Sequence, residues 1–129
     1  MDVKTDTKEK FTVITPEAEQ ISANMTESLQ EMLLSYLRKD IPHIILNLQH
    51  VAAMEPRAAA MITGVHKQFY DNGASFIVCA MQKNVEKMLE EQGLLEALNV
   101  TPTESEAWDI AQMEEIEREL MKDFDINTD

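Results

Sequence analysis

Two short apolar runs separated by a helical pattern occupy the middle of the chain. Ile44–Leu48 and Phe76–Ala80 are rich in branched residues, and each has the length of a strand. Between them, apolar residues recur at helical spacing: Ala58, Ile62, Val65 and Phe69. Pro56 suits the first turn of a helix, and Asp71-Asn72-Gly73 is typical of a helix end. This order predicts a right-handed β-α-β unit with two parallel strands.

Upstream of this unit, the pattern predicts a strand and a helix. Phe11–Thr15 alternates apolar and polar residues ahead of a proline, which is typical of a strand. Residues 1–10 are polar and are expected to form a flexible N-terminal lead-in, of which only the last residues could join the sheet. Glu17–Ile21 is compatible with either a short strand or a loop. A helix is expected to begin near Asn24, which is a favourable N-cap residue.

Downstream, a helix is expected from about Asn84 to Gln92 and a last short strand at Asn99–Thr101. A final helix follows, capped by Thr103 or Ser105. Its apolar residues are spaced three or four apart: Ile110, Met113, Ile116, Leu120 and Phe124. The whole pattern predicts one α/β domain with a mixed, largely parallel sheet of four or five strands and about four helices.

Charge and cysteine usage narrow the possible partners and the compartment. The net charge is −13, and ten of the 24 acidic residues but only two of the 11 basic ones lie from Glu104 onward. Such acidity argues against nucleic acid or an anionic membrane as a partner. The one cysteine, Cys79, lies in a predicted strand and suits a buried position in a reducing compartment. With no signal-like or membrane-spanning apolar run, we expect a cytoplasmic protein without membrane insertion.

Candidate catalytic and metal-binding residues are few. The three histidines, at positions 43, 50 and 66, lack the spacing of a metal site and have no cysteine or carboxylate pair at ligand spacing. No nucleophile–base pair is evident, and three glycines do not form a phosphate-binding loop. The sequence therefore predicts no catalytic residue, no cofactor and no metal, and indicates a protein that is not an enzyme.

Several local patterns occur together in a fixed order. Ile44–Leu48 reads I-I-L-N-L, and Gly73 precedes the second strand of the central unit. Further residues at set spacings are Val85, Leu89, Gly93 and Leu94, followed by Thr103, Glu106 and Ala107. This arrangement resembles the STAS domain, the sulfate transporter and anti-sigma factor antagonist family. The resemblance implies a STAS-like domain over residues 11–112, followed by an acidic extension of the last helix and a tail over residues 113–129.

The resemblance also implies a partner-binding site at the start of the central helix. In anti-sigma factor antagonists of this family, the second serine of a D-S-S-G motif at this place is phosphorylated by a kinase that is itself the anti-sigma factor. Here the motif positions hold Glu55-Pro56-Arg57-Ala58. Arginine cannot accept a phosphate, and its charge is opposite in sign to that of phosphoserine. No serine or threonine lies between His50 and Ile62 to take its place.

We therefore expect a non-catalytic signalling module that resembles an anti-sigma factor antagonist and lacks the usual serine phosphorylation switch. Its expected partner is a protein, for which a kinase-like anti-sigma factor is one candidate. The predicted partner-binding residues are Met54, Glu55, Pro56, Arg57 and Ala58.

The extended last helix supports an alternative function. Its apolar stripe could simply fold back on the domain, or it could serve docking or dimerisation. If it serves docking or dimerisation, the protein would be a scaffold or self-assembling subunit. It would then form a homo-oligomer or belong to a multi-protein or transporter-associated complex. The candidate docking residues are Met113, Ile116, Leu120 and Phe124, and the surrounding acidic residues favour a basic partner.

Overall fold

A five-stranded sheet forms the centre of the computed structural model, which describes residues 2–128 and the side chains of residues 2–122. The strands are β1 (Val3–Thr7), β2 (Thr12–Pro16), β3 (Gln20–Ile21), β4 (Ile44–Asn47), β5 (Ala53–Met54), β6 (Phe76–Cys79) and β7 (Asn99–Thr101). The central sheet has the order β1-β2-β4-β6-β7 and is parallel except between β1 and β2. β3 and β5 form a separate parallel pair.

Four α-helices cover the sheet: α1 (Thr26–Ser35), α2 (Pro56–Asp71), α3 (Lys83–Glu91) and α4 (Glu104–Thr128). Short 3-10 turns precede and follow α1 at Ala23–Met25 and Tyr36–Arg38, and a third lies at Leu95–Ala97. The predicted β-α-β unit is present as β4, α2 and β6, with β4 and β6 parallel and adjacent. The predicted α/β fold with a mixed, largely parallel sheet is confirmed.

Alternate residues of the inner strands point to opposite faces of the sheet, as strand geometry requires. Ile44 and Leu46 pack into the larger core, with the apolar sides of α1, α2 and α3. Their neighbour Ile45 faces the other side, as do Ile77 and Cys79, in a smaller core completed by α4. The predicted inward stripe of α2, from Ala58 to Phe69, is buried in the larger core.

The N-terminal residues correct one expectation. Residues 3–7, placed by the sequence in a flexible lead-in, form the edge strand β1 and pair with all of β2. Backbone hydrogen bonding rather than side-chain burial holds β1, because only Val3 is partly buried. Lys4 and Asp6 are exposed on this edge, where charged side chains discourage pairing with other strands.

The start of the first helix also differs from the prediction. Asn24 lies inside the 3-10 turn and does not cap α1, whose N-cap residue is Met25. The ambiguous segment 17–21 forms only the two-residue strand β3. By contrast, Thr103 caps α4 as predicted, because its hydroxyl accepts a hydrogen bond from the Glu106 N–H at 3.2 Å.

Candidate partner-binding site

The predicted binding segment lies at the end of the sheet where the parallel strands finish. The loop that leaves β4 crosses this end, passes through β5 and enters α2 at Pro56. Ligand and partner sites of parallel sheets are common at the carboxyl ends of their strands. The loop begins at Leu48, whose N–H donates to the Cys79 carbonyl at 3.0 Å and so continues the β4–β6 pairing.

Hydrogen bonds from two sides hold this loop in place. The N–H groups of Ala52 and Ala53 both donate to the Glu19 carbonyl, at 2.7 and 3.1 Å. From the start of α3, the Asn84 side-chain amide donates to the Ala52 carbonyl at 3.0 Å. The Gln82 amide donates in the same way to the carbonyl of Gln49 at 2.9 Å. The segment thus presents a preformed surface, which lowers the entropy cost of binding.

Glu55 connects the starts of two helices. It is the N-cap residue of α2, but its side chain makes no cap bond to that helix. Instead, its carboxylate accepts a hydrogen bond from the backbone N–H of Ala23, in the turn that leads into α1. Backbone N–H groups at helix starts have no partner within the helix, so a carboxylate there satisfies a donor and complements the helix dipole. The Glu55 N–H donates to the Ile21 carbonyl at 3.0 Å and completes the junction.

The five predicted binding residues differ in exposure. Met54 and Ala58 are buried in the larger core and therefore cannot offer side chains to a partner. Glu55 is half-buried and engaged with Ala23, whereas Pro56 and Arg57 are exposed at the first turn of α2. Among the side chains that the structure describes, that of Arg57 takes part in no ion pair.

The exposed side of α2 continues from Arg57 along the helix. Ala60 and Gly64 lie at successive turns and leave this side smooth, and Lys67 follows one turn later. Lys67 pairs with Asp71 at 2.9 Å, an exposed contact of small energetic value. The surface that accompanies the predicted segment is thus shallow, with one unpaired cation at its start.

Comparison with known families identifies the chain. A family model of the STAS domain matches residues 2–107. The chain belongs to the STAS domain family. The resemblance of the local sequence patterns to this family is thereby confirmed.

Solved structures share the fold at low sequence identity. A Thermotoga maritima protein provisionally assigned as an anti-sigma factor antagonist is 17% identical, with a TM-score of 0.77 over 85% of this chain and 94% of that one. The unphosphorylated anti-sigma factor antagonist SpoIIAA, of Bacillus, is 16% identical, with a TM-score of 0.69 over 86% and 96%. The murine anion transporter Slc26a9 is 13% identical, with a TM-score of 0.67 over 81% of this chain and 18% of the transporter. The TM-scores establish a shared fold.

Strand β4 ends in Asn47, at the start of the loop that leads to the predicted binding segment. Asn47 is buried, and its side-chain oxygen accepts a hydrogen bond from the Gln49 N–H at 2.9 Å. Its amide donates to the Glu104 carboxylate, 3.3 Å away at the start of α4. An aspartate here would face a second carboxylate, so the amide suits this site.

Beyond the matched STAS region, α4 is held against the domain by a set of polar contacts, which we call the α4 seam. In its first part, the Tyr70 hydroxyl donates to the Glu114 carboxylate at 2.7 Å. The Asn99 amide donates to the Tyr70 oxygen at 2.6 Å and to Glu114 at 3.2 Å. Burial and the adjacent Glu114 raise the pKa of Tyr70 well above its usual range, so this hydroxyl stays protonated and donates.

In the second part of the α4 seam, His43 and Arg118 meet at Glu115. The Ser75 N–H donates to His43 Nδ1 at 3.0 Å, so the proton of a neutral ring lies on Nε2, 2.9 Å from Glu115. The Arg118 guanidinium contacts Glu115 at 3.2 Å and donates to the Ser75 hydroxyl at 2.9 Å. Burial lowers the pKa of His43 despite its contact with Glu115, which fits a neutral ring.

His66 and Cys79 have structural roles. His66 Nε2 accepts a hydrogen bond from the Asn99 N–H at 3.3 Å, and burial lowers its pKa. Cys79 is buried, and burial raises the pKa of its thiol to about 12, which leaves it unreactive. Across the described side chains, no cluster of His, Cys, Asp or Glu is arranged to hold a metal ion. Nor does any helix in residues 2–128 have the length and apolarity needed to cross a membrane.

The predicted docking residues of α4 whose side chains the structure describes are exposed to solvent. Ala107 and Ala111 pack on the sheet, whereas Met113, Ile116 and Leu120 are exposed. The side chain of Phe124 lies outside the described residues. Between Ala111 and Lys122, the helix therefore turns polar side chains inward and apolar ones outward, an arrangement that the apolar periodicity did not reveal.

Proposed function

We propose that this STAS domain is a non-catalytic signalling module of the anti-sigma factor antagonist type. It binds a protein partner, with a kinase-like anti-sigma factor as the candidate, through the Met54–Ala58 segment and the exposed side of α2. The observation that carries the proposal is that Arg57 is exposed at the first turn of α2. The resemblance to family antagonists implies that this position corresponds to their phosphoacceptor serine.

The location of Arg57 is unfavourable for the helix itself. A positive charge near a helix N-terminus opposes the helix dipole at a cost of about 0.3–1 kcal/mol. No ion pair within the described side chains offsets this cost. Arg57 thus contributes little to folding, which supports a role in contact with another molecule, where an arginine can pair with a carboxylate in a bidentate geometry.

The absence of a hydroxyl from Val51 to Met61 supports regulation without the serine switch. SpoIIAA has been solved in phosphorylated and unphosphorylated forms, which show that a related fold carries such a modification. In this chain, Thr63 is the nearest hydroxyl, and it donates to the Ala59 carbonyl at 2.9 Å on the side of α2. We propose that partner binding here is constitutive or regulated by another route.

Affinity purification from native extract tests the proposal. The tagged full-length chain serves as bait, its partners are identified by mass spectrometry, and the bait is examined for phosphate. Recovery of a kinase-like anti-sigma factor with an unphosphorylated bait is the expected result. A bait phosphorylated on α2 would contradict the switchless mechanism, and recovery of no such protein would contradict the antagonist function.

A charge reversal then tests the site. Arg57→Glu should weaken binding of the purified partner at least about tenfold, because a cation of a binding surface becomes an anion. The same variant should unfold with a free energy equal to that of the wild type or about 0.3–1 kcal/mol higher, since a negative charge suits a helix start. Lys4→Glu, on the exposed edge strand β1, is the matched control and should bind normally. Equal affinity of the Arg57 variant would remove this residue from the interface.

A second candidate function, an assembly subunit that docks through α4, is favoured by the exposed apolar residues of that helix. The fold also occurs within a longer polypeptide, since the match to Slc26a9 covers 18% of the transporter. Truncation after Gln112 would be a poor test, because it also removes Glu114, Glu115 and Arg118 from the α4 seam. Substitutions confined to the exposed apolar residues separate docking from folding.

A further inference from the structure

The outward face of α4 exposes several large apolar side chains close together. The exposed fractions are 58% for Met113, 56% for Ile116, 62% for Leu120 and 61% for Met121. Met113, Ile116 and Leu120 follow one another at steps of three and four residues, so they lie on one side of the helix. Met121 lies about 100° around the helix axis from Leu120, at the edge of that side. Exposed apolar residues occur singly on most protein surfaces, whereas a contiguous group marks an interaction site.

The exposed charges that α4 itself carries beside these residues are acidic. The exposed acidic residues of the described part of α4 are Glu106, Asp109, Glu117 and Glu119. Of the two basic residues, Arg118 turns inward to the Ser75 hydroxyl. Lys122 is one turn beyond Arg118, so it lies toward the same side of the helix as that residue. The outward face therefore combines apolar side chains with negative charge that the basic residues of the described part of α4 do not offset.

A cleft adjoins this face and extends its apolar surface. It has a volume of about 170 Å³ and lies between α4 and the residues that lead into β2 and β4. Its lining includes the buried residues Phe11 and Ala111 and the exposed residues Ile116 and Glu119. The other lining residues are Lys10, His43, Gln112 and Glu115. Such a cleft suits a single apolar anchor residue of a binding partner.

We propose that the outward face of α4 binds a basic amphipathic segment of another protein, with apolar residues spaced three or four apart and flanked by Lys or Arg. The inference rests on the second candidate function and names the chemistry of its partner. A second copy of this chain is a poor occupant, because pairing two such helices brings acidic faces together. The net charge of −13 adds to that repulsion.

The test uses a fluorescent, designed helical peptide with Leu at every third or fourth position and Lys between, together with the full-length chain. Fluorescence anisotropy should show binding of this peptide but not of a version with Glu in place of Lys. The double variant Ile116→Glu with Leu120→Glu should bind the basic peptide at least about tenfold more weakly. Because it is more acidic than the wild type, general charge attraction alone would instead strengthen binding, and that result would overturn the proposal.

Two further variants control for charge and fold. Gln68→Glu with Gln92→Glu adds the same charge elsewhere on the surface and should leave binding within about twofold of the wild type. Asp109→Lys with Glu117→Lys should reverse the preference toward the acidic peptide. Thermal unfolding should be unchanged in all of these variants, since each replaced side chain is exposed.

Sedimentation velocity of the peptide-free chain separates this inference from the function on which it rests. A monomer that binds the basic peptide supports the inference. Concentration-dependent self-association that is lost in the Ile116→Glu and Leu120→Glu variant would keep the assembly function but overturn the basic partner. A monomer that fails to bind the peptide would overturn both.

Discussion

On one face of the sheet, α1, α2 and α3 bury large side chains such as Leu33 and Phe69, whereas on the other face α4 covers β4 and β6 largely with two alanines. The first face is held by apolar contact over its whole area. The second has a small apolar centre, to which the Phe11 and Trp108 rings add an edge-to-face contact at 4.6 Å. Beyond that centre, attachment of α4 depends on the hydrogen bonds of the α4 seam.

This difference separates where the chain gains stability from where it can bind. Apolar contact tolerates small displacements, whereas hydrogen bonds between named atoms determine the position of a helix closely. With Glu114 and Arg118 turned inward, Ile116 and Leu120 are left exposed, where we propose that a partner binds. At the loop end of the molecule, backbone and amide bonds likewise hold the segment and leave Arg57 outside.

Substitution of two adjacent isoleucines compares directly how much each face of the sheet contributes to stability. Ile44 and Ile45 are both fully buried in β4, but Ile44 belongs to the larger core and Ile45 to the smaller one. Each substitution by Ala should lower the free energy of unfolding by about 2–5 kcal/mol. The loss should be larger for Ile44→Ala, because the single helix that covers Ile45 can move to fill a cavity more readily than the three helices that cover Ile44. Urea unfolding measures both. A larger loss for Ile45→Ala would contradict the comparison.

The next largest effect is expected in the α4 seam. Tyr70→Phe keeps the ring but removes the hydroxyl that binds Glu114 and Asn99. The partly buried partners then lose a hydrogen bond, so the free energy of unfolding should fall by about 1–3 kcal/mol. Amide hydrogen exchange should also quicken in α4.

Tyr36→Phe is the matched control, because Tyr36 is buried on the opposite face. It should leave exchange in α4 unchanged. If both tyrosine variants behaved alike, the seam would not be what holds α4.

Elements with a strong local pattern could be predicted from the sequence. The apolar runs of β4 and β6, the stripe of α2 and the Thr103 cap all depend on neighbouring residues, and each was found where expected. Residues 3–7 could not be predicted as a strand, because β1 is fixed by backbone pairing with β2. Asn24 failed as a cap because it lies within the 3-10 turn Ala23–Met25, whose first N–H, that of Ala23, donates to the distant Glu55 carboxylate.

The candidate sites show the same limit. The position and exposure of Arg57 follow from the helix start at Pro56, which is a local signal. The orientation of α4 is not local, because Tyr70, Asn99 and His43 come from distant parts of the chain. One signal was present in the sequence: Glu114, Glu115 and Arg118 continue the helical spacing of Ala107 and Ala111. The apolar stripe predicted for this helix lies on the opposite side.

The smallest expected effect is the pH dependence of the free energy of unfolding that comes from His43 and His66. Burial lowers the pKa of His43 and His66 from 6.5, and in each ring one nitrogen accepts a backbone N–H, which protonation would prevent. The unfolded chain therefore binds these protons more tightly, so stability should be full above 6.5 and fall as the pH decreases through the lower folded-state values. Urea unfolding at about pH 7.5 and about pH 5.5 should show this loss, before most carboxylates titrate.

His43→Gln tests the contribution of His43, because the glutamine can still accept from Ser75 and donate to Glu115 without titrating. The loss of stability at low pH should therefore be smaller in this variant, whereas His50→Gln, at an exposed position, should match the wild type. An equal loss in the His43 variant would show that the α4 seam does not sense pH through this ring.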